Sequence, residues 1–305
     1  MPQRLLITGG TGFIGSALVK QRLAAGDQVT LYSRQPQAAI AQFQGQVRAF
    51  SDWQTLSPNS VFDAVINLAG SPVVGPRWST ARKQLLLESR VGTTEHLIAW
   101  LAQAQTRPAV LINGSAIGYY GCRGDEALDE TAPPQSEFMS ELCQQWEASA
   151  NKAQALGLRV VCLRLGLVFC SQQDPGGALP KLVLPYYWGL GGKMGNGEQV
   201  MSWVHRDDVL AVISLAMADA SFSGAYNLTA PQAPTQAQFA KAVGQALHRP
   251  TWLFTPAWLI NALAGEMGAL FTRGQRVIPQ RLIEAGYRFK YPDLKSALDA
   301  YLGKK

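Results

Sequence analysis

Thr8-Gly9-Gly10-Thr11-Gly12-Phe13-Ile14-Gly15 decides the fold. The apolar run Arg4 to Thr8 leads into it and reads as a strand. A helical pattern over Phe13 to Ala25 leaves it, and Gly26 ends that helix. A glycine-x-x-glycine-x-x-glycine turn between strand and helix suits a dinucleotide diphosphate. Gly9 permits the tight turn, Gly12 lets backbone approach the diphosphate without a Cβ, and Gly15 allows the helix to lie close to the strand. Thr11 and the amides of Phe13 and Ile14 complete the cradle. Helix-start N–H groups carry unpaired donors and positive dipole charge toward phosphate.

Working outward, strands are expected at Gln28 to Ser33, Val47 to Phe50, Val61 to Leu68, Ala109 to Asn113 and Arg159 to Leu165. Helices are expected at Thr80 to Gln105 and Glu137 to Leu156, the first from apolar residues at Leu87, Val91, Thr94, Ile98 and Leu101. Alternating strands and helices imply right-handed crossovers and a parallel sheet. The fold class is therefore α/β: a Rossmann-type doubly wound parallel sheet with a smaller, mostly helical C-terminal lobe. Residues 1–170 form the nucleotide-binding domain, its sheet completed by part of 200–230, and residues 171–305 form substrate-side loops and a small C-terminal domain. In that second part Ser171 to Pro180 is polar and rich in Gly and Pro. A short helix at Asp208 to Asp219 takes Asp207 as N-cap, and helices punctuated by Pro231, Pro234, Pro250 and Pro256 follow from Gly224 onward.

Composition bounds the function. The chain has 305 residues, 47% hydrophobic and 16% charged, which suits a packed globular protein. Its net charge of +6 is scattered, without the basic stripe of a nucleic-acid binder, and favours an anionic ligand. No apolar run reaches the roughly 20 residues that span a bilayer, and the Ala257 to Phe271 run is broken by Asn261, Gly265, Glu266 and Gly268. Cys122, Cys143, Cys162 and Cys170 lack metal-site spacing, so no metal is expected and a reducing, cytoplasmic setting fits.

The second strand ends Leu31-Tyr32-Ser33-Arg34. An NAD site places a carboxylate there for the ribose 2′-hydroxyl. Here Ser33 and the guanidinium of Arg34 suit a 2′-phosphate instead, which selects NADP(H).

These residues together resemble the extended short-chain dehydrogenase/reductase superfamily, in its epimerase-like branch. They are closest to an atypical NADP-binding subgroup of sugar-nucleotide epimerase relatives with a small C-terminal domain. The resemblance runs through Asn67-Leu68-Ala69-Gly70, Pro76-Arg77-Trp78, Ser89-Arg90, Gly114 to Gly121, Cys143 to Glu147, Leu163 to Val168, Ser202 to Asp208, Ala246 to Pro250, Gly265-Glu266 and Ala285-Gly286-Tyr287. It implies that Leu68, Ala69 and Gly70 skirt the cofactor. A Tyr-x-x-x-Lys pair would do the family's proton work, but placing Glu147 on the family's downstream Glu puts Met139 and Cys143 at those two positions. Ser115, Tyr119 and Tyr120 are the remaining candidates for the chemistry, with packing or capping roles equally open. His205 reads as a structural hydrogen-bonder. The glycine-rich stretch Gly189 to Gly197 with Lys193, and Gln199 and Trp203 after it, suits a small-molecule substrate, with a plain linker as the other reading. Two functions follow. One is an NADP-dependent oxidoreductase or epimerase acting on a small polar substrate such as a nucleotide sugar. The other is a non-catalytic NADP(H)-binding sensor or partner-binding module. A homodimer, through the helices after the fourth and fifth strands or the apolar C-terminal helix, is left open.

Overall fold

The computed structural model describes residues 2–171 and 176–303; residues 172–175 of the polar stretch, and Lys304 and Lys305 of the C-terminal domain, lie outside them. The chain runs β1 (Arg4–Thr8), α1 (Phe13–Ala24), β2 (Gln28–Tyr32), α2 (Pro36–Gln42), β3 (Arg48–Phe50), β4 (Ala64–Asn67), α3 (Thr80–Leu87), α4 (Thr93–Gln103), β5 (Val110–Ala116), β6 (Gly124–Leu128), α5 (Phe138–Asn151) and β7 (Arg159–Leu165). It continues through β8 (Leu167–Phe169), α6 (Leu179–Tyr187), β9 (Gly192–Met194), β10 (Trp203–His205), α7 (Arg206–Ala218), β11 (Gly224–Leu228), α8 (Gln236–Leu247), β12 (Leu253–Thr255) and α9 (Ala257–Ala264). After α10 (Ala269–Thr272), β13 (Gln275–Val277) and α11 (Gln280–Glu284), α12 (Leu294–Leu302) ends the fold.

Seven strands form one parallel sheet in the order β3-β2-β1-β4-β5-β7-β11. The order reverses between β1 and β4, the place where such sheets open a crevice for ligands at their carboxyl ends. Both faces are covered, as the continuous apolar strands require. Leu18 and Val19 of α1 and Val209, Val212 and Ile213 of α7 pack on one face with Ile7, Leu31 and Ile66. Leu97, Trp100 and Leu101 of α4 and Ala150 of α5 pack on the other with Leu6, Val65 and Leu111. The small lobe has its own core, in which Phe169 stacks on Trp203 at 5.0 Å and Phe239 and Leu298 close around them.

Three expectations are corrected. The single helix over Thr80 to Gln105 is two helices joined by a π-turn at Glu88–Gly92. Beside this turn the Thr94 hydroxyl donates to the Arg90 carbonyl (2.7 Å). Residues from Gly224 do not begin with a helix: β11 pairs parallel with β7, burying Tyr226 and Leu228. Asp207 is not the N-cap. Helix α7 starts two residues earlier than expected, at Arg206, and His205 caps it by accepting the Asp207 N–H at Nδ1 (3.1 Å). Asp207 lies in the first turn, where Lys290 pairs with it at 2.8 Å. Among the described residues no helix is long and apolar enough to cross a membrane.

The cap has a pH signature. His205 is 1% exposed and its ring lies 3.7 Å from that of Tyr291. Burial pushes its pKa down, outweighing the pull of Asp207. The unfolded chain therefore takes up this proton first. The stabilising effect is complete above the ordinary His value of about 6.5 and is lost as pH falls toward the folded value. Urea unfolding between pH 7 and 5 should show stability declining with acid, and His205→Gln should flatten that decline; an unchanged slope would contradict the buried neutral ring.

Candidate functional site: a dinucleotide crevice

The glycine turn sits at the switch between β1 and β4, held there by close approach. Gly9 has φ +69°, and a Cβ on it would lie 2.5 Å from the Leu68 carbonyl oxygen; a Cβ on Gly15 would lie 2.2 Å from the Gly9 oxygen. Gly12 differs: its Cβ would meet only the Gly9 oxygen, at 3.3 Å, so its side-chain direction faces open space. Gly12 donates to Gly9 O at 3.0 Å and acts as the N-cap of α1, with no side-chain cap and no acidic residue in the first turn. The N–H groups of Phe13, Ile14 and Gly15 therefore start a helix with no intrahelical carbonyl to receive them. Thr11 is exposed on the rim. A buried net fixes the neighbouring strand ends. Thr8 donates to Asn67, Asn67 to Thr94 (2.8 Å) and Asn113 (2.6 Å), and the Ala69 N–H reaches Thr8 Oγ1 (3.3 Å). This seats Leu68, Ala69 and Gly70 beside the crevice, with Gly70 exposed.

At the end of β2, Ser33 takes the Gln35 N–H on its hydroxyl (3.2 Å), and the exposed Arg34 projects beyond the strand. In the parallel register Tyr32 stands beside Thr8, so Ser33 and Arg34 flank the glycine turn. An open glycine, a bare helix start and a neighbouring guanidinium fit a phosphorylated dinucleotide.

The residues expected to do chemistry are engaged elsewhere. Ser115 is 2% exposed and donates to Glu147 Oε1 at 2.6 Å. Glu147 is held by Arg164 in a bidentate pair at 2.8 and 2.9 Å. Tyr120 is fully buried; its hydroxyl donates to Asn227 (2.6 Å) and accepts from Arg164 (2.8 Å), and burial pushes its pKa up to about 12. Tyr119 is half-buried, with the Arg164 guanidinium 3.5 Å from its ring centre. Met139 and Cys143 are buried against Gly118, and burial pushes the Cys143 thiol up to about 12, so it is a packed thiol and not an acid–base group. Ser115 and Tyr120 are thus members of a closed network. The sequence reading missed its centre, Arg164, which looks like an ordinary strand charge until β5, β7 and α5 meet around it.

The expected substrate residues separate. Lys193 is exposed on the β9–β12 ribbon. Gln199 is buried and braces the backbone, donating to Met194 O (3.0 Å) and Phe271 O (2.9 Å). Trp203 lies in the small-lobe core at 0% exposure, its indole N–H on Gln232 O (3.1 Å), and so cannot line a substrate site.

This sheet order, with the glycine crevice at its switch, defines a Rossmann-type NAD(P)-binding fold. The profile of the NAD dependent epimerase/dehydratase family matches residues 5–229, and the chain belongs to that family. Residues 255–301 match a domain of unknown function, DUF1731. An epimerase family protein of Staphylococcus saprophyticus is 37% identical over 298 residues, covering 96% of this chain and 97% of the relative. Human epimerase family protein SDR39U1 (isoform 2), whose crystal structure is with NADPH, superposes with a TM-score of 0.87 at 32% identity, over 99% of this chain and all (100%) of that one. The nucleoside-diphosphate sugar epimerase from Corynebacterium glutamicum gives 0.79 at 28% identity, over 100% of this chain and 59% of that one.

Breaking the buried pair should be costly. Glu147→Gln leaves Arg164 charged and unpaired, and should lower unfolding free energy by about 3–5 kcal/mol. A joint Glu147→Leu, Arg164→Met replacement should lose much less. Equal losses in urea unfolding would contradict a paired network.

Proposed function

We propose that this chain binds NADP(H) and exchanges hydride between it and a small polar substrate such as a nucleotide sugar. The observation that carries the cofactor choice is Arg34 with Ser33 at the tip of β2, where no carboxylate stands, beside the bare start of α1. The Phe13, Ile14 and Gly15 amides would hold the pyrophosphate, Arg34 the 2′-phosphate, and Leu68, Ala69 and Gly70 the side toward the nicotinamide. The NADPH of the human relative's structure supports this choice, and the C. glutamicum protein's name supports the substrate class. When bound, the nicotinamide supplies a hydride donor or acceptor. The chain's own part is to bind, orient and exclude water. Tyr119 is the one candidate phenol not sealed into the core, and it is the group through which a substrate oxygen would exchange its proton. No disulfide joins the cysteines among the described residues, which supports a reducing compartment and hence the cytoplasm.

A second reading, a non-catalytic NADP(H)-binding sensor, is favoured by one observation: Met139, Cys143, Ser115 and Tyr120 are all buried and committed. Following NADPH absorbance with nucleotide sugars separates the two. Turnover that falls on Tyr119→Phe supports the enzyme, whereas tight binding without turnover supports the sensor.

Arg34→Asp should weaken NADPH binding about tenfold or more and leave NADH little changed, because one charge-assisted phosphate contact is removed. Gly12→Val should abolish binding of both in a fluorescence titration, because its side chain enters the open space beside the α1 amides. Unaltered NADPH affinity in either variant would contradict the crevice assignment.

A further inference from the structure

Two stretches that the cofactor reading leaves unused, Pro76-Arg77-Trp78 and Gly265-Glu266, meet in the fold. The Arg77 Nε donates to Leu263 O (2.7 Å) and its Nη2 to Ala262 O. Both carbonyls belong to the last turn of α9, so the guanidinium caps the negative end of that helix. Just beyond, in the turn Gly265–Gly268, Glu266 pairs with Lys83 of α3 at 2.6 Å. Two charged contacts thus join the small lobe to the segment that leaves Gly70 and to the helix after it.

Little else holds α9. None of its residues is buried, and Trp258 and Leu263 are 70% and 71% exposed although the helix is almost wholly apolar. The segment that carries it is rooted at one point. Thr255, at the end of β12, stands beside Met194 in the parallel register, and Gln199 donates to both Met194 O (3.0 Å) and Phe271 O (2.9 Å). A Cβ on Gly274 would lie 2.2 Å from the Val200 nitrogen, so the returning chain presses on the same place. Residues 257–272 therefore form a loop with joined ends, the geometry of an Ω-loop. Its root stands near the carboxyl end of β7, where the Leu167 N–H donates to Ser202 O (2.9 Å). Its tip is tied beyond the carboxyl end of β4. In the sheet β5 lies between those two strands, so the loop crosses the carboxyl end of β5, where Tyr119 follows. A segment with few buried contacts and two charged ties opens at low cost.

We infer that residues 257–272 are a hinged lid over the Tyr119 side of the crevice, and that Arg77 is the positioning residue that latches it shut. The inference rests on the NADP(H) reading above. The lid covers the nicotinamide half and leaves the adenine half, at Arg34, uncovered. Closed, it excludes water from the place where hydride and proton would move. Arg77 acts through the α9 carbonyls and needs no contact with the cofactor.

The test is stopped-flow fluorescence of NADPH with the full chain, beside calorimetric titration with adenosine 2′,5′-bisphosphate, which carries only the adenine half. Arg77→Ala should raise the NADPH association and dissociation rates together, each about tenfold, and leave the bisphosphate affinity unchanged. Lys83→Glu should raise both rates about threefold, and adding Glu266→Lys should restore them. Unchanged rates in Arg77→Ala would overturn the latch. Faster dissociation alone would overturn it too, by making Arg77 a cofactor contact, as would a charge swap that restores nothing. If Arg77→Ala fails to bind the bisphosphate, the charge swap is read by the same criteria. An unaltered chain that binds neither ligand would instead overturn the NADP(H) reading. Hydrogen exchange at residues 257–272 then decides the latch: faster exchange in Arg77→Ala supports it, and equal rates contradict it.

Discussion

The contact on which the structure depends is backbone against backbone, where the turn after β1 meets the loop after β4. Gly9 presses on the Leu68 carbonyl and Gly15 on Gly9 itself, at distances no side chain tolerates. That approach draws the start of α1 over the switch between β1 and β4 and points its unpaired amides outward. The Thr8–Asn67–Thr94–Asn113 net then holds the neighbouring strand ends in place. The crevice is a consequence of packing already present in the folded chain, so a diphosphate entering it would meet preorganised donors.

A second polar system begins one strand further along. Ser115, Glu147, Arg164, Tyr120 and Asn227 link β5, α5, β7 and β11 through buried, charge-assisted bonds. Groups that look like reagents in the sequence are used here as struts. The same substitution of roles explains Met139 and Cys143, which fill space where the superfamily places an acid and a cation. On this side the exposed Gly70 has the Arg90 guanidinium packed against it.

Much of the fold was legible because its signals are local. The glycine spacing, the continuous apolar runs of β1, β4 and β5, and the stripe on α4 each follow from neighbours within a few residues. The residues around the crevice were legible for the same reason, since Gly9 to Gly15 and Ser33-Arg34 lie in single short segments. The misses depend on partners far away in sequence. Trp203 reads as a free aromatic until Phe169 and Phe239 surround it. His205, not Asp207, is the cap, and its ring packs against Tyr291, 86 residues on by sequence number. Arg164 becomes the hub of the second network only when residues 17 and 44 positions away come to it. Thr94 counts as part of an apolar stripe, yet its hydroxyl is buried in polar contacts, donating to the Arg90 carbonyl and accepting from Asn67.

The central claim is that the α1 amides and Arg34 together receive a 2′-phosphorylated dinucleotide. A crystal structure of the chain grown with saturating NADPH tests it most directly. The account requires the pyrophosphate within hydrogen-bond distance of the amides of residues 13–15 and the 2′-phosphate against the Arg34 guanidinium. A crevice left empty under those conditions, or a cofactor lying elsewhere on the sheet, would contradict it.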